Sequence, residues 1–457
     1  MRQQVRDLAA LLEKATRRIE ELEEKLGQNS RNSSKPPSSD SPQERRARRK
    51  KRKSGRKRGG QLGHAGTTRK KAPPEDVDDT QKYVAGACGA CGVQFDGTES
   101  VRVVTEHQVW DILLAPVSVT AHQSCGVECP HCGTETVEAI PPEVPQSSFG
   151  PNVTALISYL VGNGRMSRRK VQQLLAEVFK LDISLGAISE CERRVADAVE
   201  PAVEELRREA LLSPIKHMDL TGWTEEGERR QILTVVTEHA VVFWILDDGT
   251  RVSLTAAVGE PSGTLVSDRG TVFDHWPLEL RQACLAHIKR AFEAMASRTG
   301  DSRAVGSELG ELLKLLFHVW HTHQEGEGFD ADTLQSWHAT FLVEFERLLG
   351  AGAQSRNKKT AGTCNRLRQQ LPMLLTFLLA SGVQPTNNDA ERALRHFVIW
   401  SNLCYGSQSE RGSRFAAYLM SVLETLRLRG RSVFSYIRQA ILAGLHGEPP
   451  PRLLPAT

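Results

Sequence analysis

The spacing of apolar residues changes twice along the chain, and this restricts the fold more than any other sequence feature. In residues 149–212 apolar side chains recur at steps of three and four, which is typical of amphipathic helices. In residues 215–268 they alternate or form short runs such as VVFWIL, which indicates strands. The helical pattern returns in residues 302–446. Helices, then strands, then helices predict a multidomain α+β protein with helices on the faces of a mixed sheet.

Three acidic residues stand where a sheet and a helix would bring them together. Asp219 lies in the strand-like segment HMDLTGW, Asp268 ends the segment LVSD, and Glu391 lies one turn into a helix predicted to start at Asn387 or Asn388. A carboxylate in an apolar strand is costly unless a cation meets it. Converging carboxylates suit two divalent metal ions in phosphodiester chemistry, with Asp219 bridging both. Taken singly, each acid also fits an ordinary turn or surface position.

Four of the nine cysteines form two CxxC pairs separated by strand-like segments. Two such pairs complete a tetrahedral zinc site, so this spacing predicts a zinc ribbon in residues 83–140. Cys125 and His131 lie near enough in sequence to replace one ligand. The ribbon either contacts DNA or braces the fold. The predicted Zn²⁺ ligands are Cys88, Cys91, Cys129 and Cys132.

The positive charge of the chain is concentrated in one tract. The net charge is +4, yet residues 45–58 hold 11 Lys or Arg residues, so the remainder is net acidic. Such a tract is typical of an arm that binds a polyanion, and DNA is the polyanion that we expect. The predicted DNA-binding residues are Arg45, Arg46, Arg48, Arg49, Lys50, Lys51, Arg52, Lys53, Arg56, Lys57 and Arg58.

The first 27 residues carry apolar side chains at heptad spacing, from Val5 to Leu26. This predicts a short coiled coil and hence self-association, although a single amphipathic helix packed on its own protein has the same pattern. The N-terminus has no apolar signal region, and the longest apolar run is too short to span a bilayer. Cysteines suited to metal binding favour a reducing cytoplasm.

Several ordered motifs resemble the transposases of the insertion-sequence 66 family. They are NSSKPPSSD, GGQLGH, the paired CxxC segment, MDLTGW, LVSDRG, CLAHIKR and PTNNDAERALRHFVIW, and they cover nearly the whole chain. The resemblance implies an RNase H-like core of the DDE type with Asp219, Asp268 and Glu391 as its acids. It also implies Mg²⁺ or Mn²⁺, DNA ends and target DNA, a homo-oligomer and a bacterial, nucleoid-associated location, and it is compatible with companion transposition proteins.

Three further features of the sequence bear on this resemblance. Cys284-x-x-His287 looks like the C-x-x-H element of several DDE families, but a buried cysteine beside a satisfied histidine explains the pair equally well. Leu220 stands where relatives often have Glu, and Ser401 and Asn402 stand where they often have a basic pair. These departures leave the three acids in place and leave open whether this copy is active.

The resulting organisation has eight parts. They are a coiled-coil helix (1–27), a flexible basic linker (28–82), the zinc ribbon (83–140), a helical domain with a candidate helix-turn-helix (141–212), the RNase H-like core (213–300 and 385–446) around a helical insertion (301–384), and a tail (447–457). Two other functions fit parts of it. One is a noncatalytic zinc-containing DNA-binding regulator, and the other is a simple RNase H-like nuclease.

Overall fold

The structure is a computed structural model that describes residues 147–326 and 328–454 continuously. Before them it describes Gln28, residues 71–77 and separate short stretches between residues 79 and 145. The predicted coiled coil and the basic tract lie outside the described residues. Three of the four predicted zinc ligands, Cys88, Cys129 and Cys132, also lie outside them.

A five-stranded mixed sheet organises the described part of the chain. It follows a small antiparallel pair, β1 (Gly126–Glu128) and β2 (Glu135–Val137). The strands of the sheet are β3 (Ile215–Glu225), β4 (Glu228–Val236), β5 (Val241–Leu246), β6 (Thr264–Ser267) and β7 (Arg281–Ala283). Their order is β5-β4-β3-β6-β7, in which β3, β4 and β5 are antiparallel and β6 and β7 run parallel to β3. The predicted α+β class with a mixed sheet is therefore confirmed.

Helices surround the sheet in three groups. Before it come α1 (Pro151–Gly162), α2 (Arg168–Phe179) and α3 (Leu185–Leu212), and α4 (Arg251–Val258) links β5 to β6. After β7 come α5 (Leu285–Ala296), α6 (Asp301–Gln324), α7 (Ala331–Ala353), α8 (Lys358–Gln369) and α9 (Thr376–Leu379). The last are α10 (Asn388–Cys404), α11 (Glu410–Leu428) and α12 (Val433–Leu445). Each helix of the described part is too short or too polar to span a lipid bilayer.

Two hydrophobic cores lie against the sheet, and strand β6 contributes to both. Leu265 belongs to the core that joins β3–β5 to α1–α3 and α10–α12. Val266 belongs to the core that joins β6 and β7 to α5–α9. Successive side chains of a strand point to opposite faces, so the sheet separates the two cores. The helices between the second and third predicted acids thus have a core of their own.

Helix α11 covers the edge strand β5 through hydroxyl groups. Phe243 N donates to Ser421 Oγ at 3.0 Å, and Val241 N donates to Thr425 Oγ1 at 3.0 Å. The Thr425 hydroxyl donates in turn to Val241 O at 2.9 Å. An uncovered edge strand leaves backbone groups unpaired, so these contacts close that side of the sheet.

The link between α10 and α11 is fastened to the far end of β3. Ser407 N donates to Thr224 O at 2.9 Å, and Glu226 N donates to Ser407 O at 3.0 Å. Gly406 adopts a φ of +92°, and a Cβ there would lie 2.0 Å from Thr224 O. Only glycine permits this approach, which holds the helix bearing Glu391 against the strand bearing Asp219.

We predict that Gly406→Ala lowers the free energy of unfolding by about 2–4 kcal/mol, because the methyl group adds a backbone clash to a strained φ. Gly430→Ala is the matched control, since Gly430 has a φ of +62° but nothing within 4 Å of an added Cβ. That control should lose only about 1 kcal/mol. Urea denaturation measures both variants, and equal losses would contradict the proposed contact.

Candidate active site

The sheet register places Asp219 and Asp268 side by side. The last pair between β3 and β6 is His217 opposite Val266, and both aspartates lie two residues further on. Neighbouring strands lie about 4.8 Å apart, and equivalent positions on parallel strands face the same side. Asp268 directly follows β6, whereas Asp219 lies within β3, where β6 no longer pairs with it. Both carboxylates therefore stand at the point where the parallel part of the sheet ends.

Asn387 fixes the start of the helix that carries Glu391. It is 1% exposed, and its Nδ2 donates to Met218 O at 2.8 Å. Its backbone N donates to Cys284 Sγ at 3.2 Å. The sequence predicted Asn387 or Asn388 as the helix cap. Asn387 does precede α10, but its side chain bonds to β3 instead of capping the helix. The first turn of α10 is thereby attached beside Asp219.

The three acids act on one another electrostatically. Burial raises the pKa of Asp219 from 3.8 to about 7, with Asp268 as the next cause and Glu391 adding a smaller contribution. The Leu220 N–H, which donates to Asp219 Oδ1 at 2.9 Å, opposes this rise in the pKa of Asp219. Like charges near a desolvated carboxyl disfavour its ionised form. The arrangement thus concentrates negative charge that a cation would neutralise.

Glu391 itself faces basic side chains. Its Oε1 lies 3.6 Å from His287 Nδ1 and 3.8 Å from Arg290 Nη2. Cys284, His287 and Glu391 are the only group of three described residues whose ligand atoms all lie within 4.8 Å of one another. The three predicted acids do not meet that limit. The structure therefore brings their charges together without placing all three carboxylates around one point.

Cys284 and His287 are both uncharged at neutral pH. Burial raises the pKa of the Cys284 thiol, and burial followed by the charge of Arg290 lowers the pKa of His287. Cys284 N also donates to Ser267 O at 2.8 Å, so the residue links β6, β7 and the start of α10. The C-x-x-H element thus packs against the base of the site, and its histidine contacts the predicted catalytic glutamate.

A buried arginine, which the sequence analysis did not identify, holds the loop after Asp268. Arg281 is 1% exposed; its Nη1 donates to Asp274 Oδ1 at 3.1 Å and its Nη2 to Asp268 O at 3.5 Å. Within the loop, Gly270 N donates to Asp268 Oδ1 at 2.8 Å. Arg281 therefore fixes both ends of the turn that carries the second acid. Its strand, β7, reads Arg-Gln-Ala, so the sequence has no apolar pattern there that would mark Arg281 as buried.

The side chains that depart from the family pattern lie outside these contacts, although the backbone N–H of Leu220 bonds to Asp219. The Leu220 side chain packs against the first hydrophobic core. Ser401 and Asn402 lie in the last turn of α10, where Asn402 is exposed. Leu220 takes the place of an acid beside Asp219, but both departures leave Asp219, Asp268 and Glu391 in the sequence.

Antiparallel pairing brackets both CxxC pairs in sequence. An antiparallel bridge between Ala87 and Gln94 brackets the first pair, and the pairing of Glu128 with Glu135 brackets the second. Cys91, the one described member of these pairs, is exposed and forms no disulfide.

The comparisons with known proteins identify the family. The model of the Transposase IS66 family matches residues 146–415, which is more than half of the chain and includes all three acids. The chain belongs to this family. A family of unknown function (DUF6444) matches residues 1–70. No curated protein matches the chain. Family membership gives the chain a transposase role, with DNA as its partner and a divalent metal ion as the implied cofactor.

We predict that Asp219→Asn stabilises the metal-free protein at pH 8 by about 1–3 kcal/mol. The pKa of Asp219 is about 7 in the folded chain and 3.8 ordinarily, so its ionisation opposes folding increasingly between pH 4 and pH 7 and fully above pH 7. The amide removes that charge, and its advantage should vanish below about pH 3, where the wild-type carboxyl is largely protonated in both states.

Urea denaturation in EDTA across this pH range measures the effect. Asp247→Asn is the control, because Asp247 is 87% exposed and should show no comparable gain. A wild-type protein as stable as Asp219→Asn at pH 8 would contradict the electrostatic coupling.

Proposed function

We propose that the chain is a DDE-type transposase that cuts DNA at the ends of a mobile element and joins them to target DNA. Asp219, Asp268 and Glu391 are its proposed catalytic acids and hold two ions of Mg²⁺ or Mn²⁺. The observation that carries this proposal is the position of Asp219 on β3, beside the strand that Asp268 follows and against the helix that bears Glu391. Burial and the charges of these two acids raise the pKa of Asp219. Such a cluster is costly unless a cation compensates it.

The strand arrangement supports an RNase H-like core for the two segments 213–300 and 385–446. β3, the first strand of the sheet, lies at its centre and carries the first acid. The second acid follows the neighbouring parallel strand, and the third lies on a helix that packs on β3. Residues 301–384 form the proposed helical insertion, which corresponds to the separate second core.

The side chains fit a hard divalent cation. Carboxylate oxygens are the ligands that Mg²⁺ and Mn²⁺ prefer. Glu391 Oε1 is buried and has no hydrogen-bond partner among the described residues, which leaves an oxygen available. Bound ions supply Lewis-acid activation of a water or a 3′-hydroxyl and stabilisation of the leaving oxygen. Asp219, between the other two acids, is the proposed bridging ligand.

Two adjustments of the chain itself follow from this assignment. Asp219 must release the proton that its raised pKa retains near neutral pH. Glu391 must turn from His287 and Arg290 towards the two aspartates. Cation binding should therefore strengthen as pH rises through about 7, because the ionised form of Asp219 is the binding form.

The N-terminal part has a proposed role in DNA binding and assembly. We propose a zinc ribbon held by Cys88, Cys91, Cys129 and Cys132, which the antiparallel pairing that brackets both CxxC pairs supports. The basic tract at residues 45–58 is the proposed nonspecific DNA contact, and residues 1–27 are the proposed self-association helix. The helical hairpin α2–α3 is a candidate for recognition of an element end. With these roles, the proposed location of the protein is on DNA in the bacterial cytoplasm.

We predict that Asp219→Ala abolishes both cleavage and strand transfer, by on the order of 10³-fold or more, because several kcal/mol of transition-state stabilisation are lost. Asp268→Ala and Glu391→Ala should do the same. The assay uses DNA with the inverted repeats that flank the gene, in Mg²⁺ and in Mn²⁺. Binding to that DNA should persist in all three variants.

Asp247→Ala is the matched control, because it removes an exposed carboxylate at the end of β5. It should retain activity. Cleavage that survives Asp219→Ala would overturn the assignment of the metal site. Cleavage without strand transfer by the wild-type protein would instead favour a simple nuclease.

We predict one zinc ion per chain, measured by elemental mass spectrometry on the purified protein. Cys91→Ser and Cys129→Ser should each reduce the zinc content and destabilise the N-terminal region, since the metal contributes to its folding. Cys404→Ser is the control, because Cys404 is a free cysteine outside the CxxC pairs. A zinc content that is unchanged in the Cys91 and Cys129 variants would exclude the ribbon.

A further inference from the structure

Cys284, His287 and Glu391 meet where helices α5 and α10 begin. Cys284 directly precedes α5, His287 lies in the first turn of α5, and Glu391 lies in the first turn of α10. One ligand atom from each of these side chains lies within 4.8 Å of the other two. A thiol, an imidazole and a carboxylate thus share one small volume, and we call these three residues the Cys–His–Glu group.

Backbone contacts fix the spacing of the Cys–His–Glu group. His287 N donates to Cys284 O at 3.0 Å, so these two residues lie on the same side of one helical turn. Asn387 connects them to the third residue. Its N donates to Cys284 Sγ at 3.2 Å, and its O accepts from Glu391 N at 3.1 Å. The group is therefore built into the junction of the two helices.

Two atoms of the group face each other without a hydrogen bond. Glu391 Oε1 and His287 Nδ1 are 3.6 Å apart, which is too long for one. Both atoms are buried and have no hydrogen-bond partner among the described residues. Zinc binds nitrogen and oxygen at about 2.0–2.1 Å, so two such ligands at the tetrahedral angle lie about 3.3 Å apart. The observed separation is therefore close to the one that a shared zinc ion requires.

The three donors suit zinc better than magnesium. Mg²⁺ prefers an octahedral set of oxygen ligands, whereas zinc takes thiolate, imidazole and carboxylate ligands and often keeps water in a fourth position. The thiol of Cys284 releases its proton to water as its sulfur binds zinc. The thiolate and the Glu391 carboxylate then balance the charge of the ion. Asn387 N, which donates to the sulfur, supports the thiolate from behind.

The surroundings of the group allow an ion to enter but limit its affinity. The side chains of His287 and Glu391 are 29% and 33% exposed, which gives an ion a path from solvent. Arg290 Nη2 lies 3.8 Å from Glu391 Oε1, and its positive charge opposes a cation there. We therefore expect zinc to exchange at this group more readily than at the four thiolates of the proposed ribbon.

We infer that Cys284, His287 and Glu391 form an inhibitory zinc site. The inhibition rests on the proposed function, because Glu391 is the third proposed catalytic acid. In this structure Glu391 contacts His287, and the three proposed catalytic acids do not surround one point. Zinc would hold Glu391 in this position and withhold a ligand from the catalytic Mg²⁺ or Mn²⁺ ions. The enzyme is then switched off without zinc binding to either aspartate.

The binding test uses full-length protein that is washed with a chelator until its zinc content is constant. Zn²⁺ is then titrated in competition with a fluorescent zinc indicator, and wild-type protein should take up one additional ion per chain. Cys284→Ser and His287→Ala should each weaken this uptake by at least about 10-fold, since loss of a group that merely orients a ligand already costs about 10–100-fold. An excess of Mg²⁺ should not displace the ion.

A matched control and a second variant keep this test decisive. Cys364→Ser removes another buried free cysteine, on α8, and should bind zinc as the wild type does. His287→Ala changes a partly exposed side chain, so it tests the site even if Cys284→Ser fails to fold. No additional ion in the wild type, or equal uptake by the wild type and His287→Ala, would overturn the site.

Inhibition is measured in the cleavage assay at fixed Mg²⁺, with each protein compared with its own rate without added zinc. Zinc at the concentration that fills the additional site should abolish cleavage by the wild type and by Cys364→Ser, but not by His287→Ala. Equal inhibition of all three proteins would overturn the inhibitory role.

The binding result is independent of the proposed chemistry. Additional zinc that depends on Cys284 and His287, in a protein that does not cleave DNA, would support the zinc site and reject the proposed function. Cleavage that depends on Asp219, in a protein that takes up no additional zinc, would do the opposite.

Discussion

The crowding of negative charge at the end of the parallel strands constrains the rest of the structure. Burial beside Asp268 and Glu391 raises the pKa of Asp219 to about 7, and no single element could hold three acids so close. β3 and α10 each contribute one, and the loop after β6 contributes the third. Three surrounding contacts hold these elements in place. They are the bond from Asn387 to β3, the bonds from Arg281 to the loop at Asp268, and the close approach of Gly406 to β3.

The basic side chains around this cluster divide into two kinds. Arg281 is buried and has an acidic partner, so it shapes the loop behind Asp268. Arg269, by contrast, has no hydrogen-bond acceptor for its Nη1 among the described residues. His287 and Arg290 belong to neither kind, because the acid that they contact is Glu391, one of the three proposed catalytic acids. A transposase must bind a polyanion beside its own carboxylates, and this division is one way to meet both demands.

Much of the sheet and of the helix order was predictable, because the spacing of apolar residues differs between helices and strands. The strand that carries Asp219, the strand that Asp268 follows and the helix that carries Glu391 were placed from their patterns. The family match confirmed the resemblance. The spacing of apolar residues does not show which side chains contact each other across the fold. Asn387 therefore looked like a helix cap, Arg281 and Arg269 attracted no attention, and the contact of His287 with Glu391 was not predicted. Each depends on elements far apart in sequence.

Diffraction from crystals of the full chain with DNA and Mn²⁺ tests the central claim most directly, since anomalous scattering locates the ion. The account predicts Mn²⁺ between Asp219 and Asp268, with the Glu391 carboxylate turned away from His287 to join them. Mn²⁺ bound instead by Cys284, His287 and Glu391, with both aspartates unliganded, would contradict it.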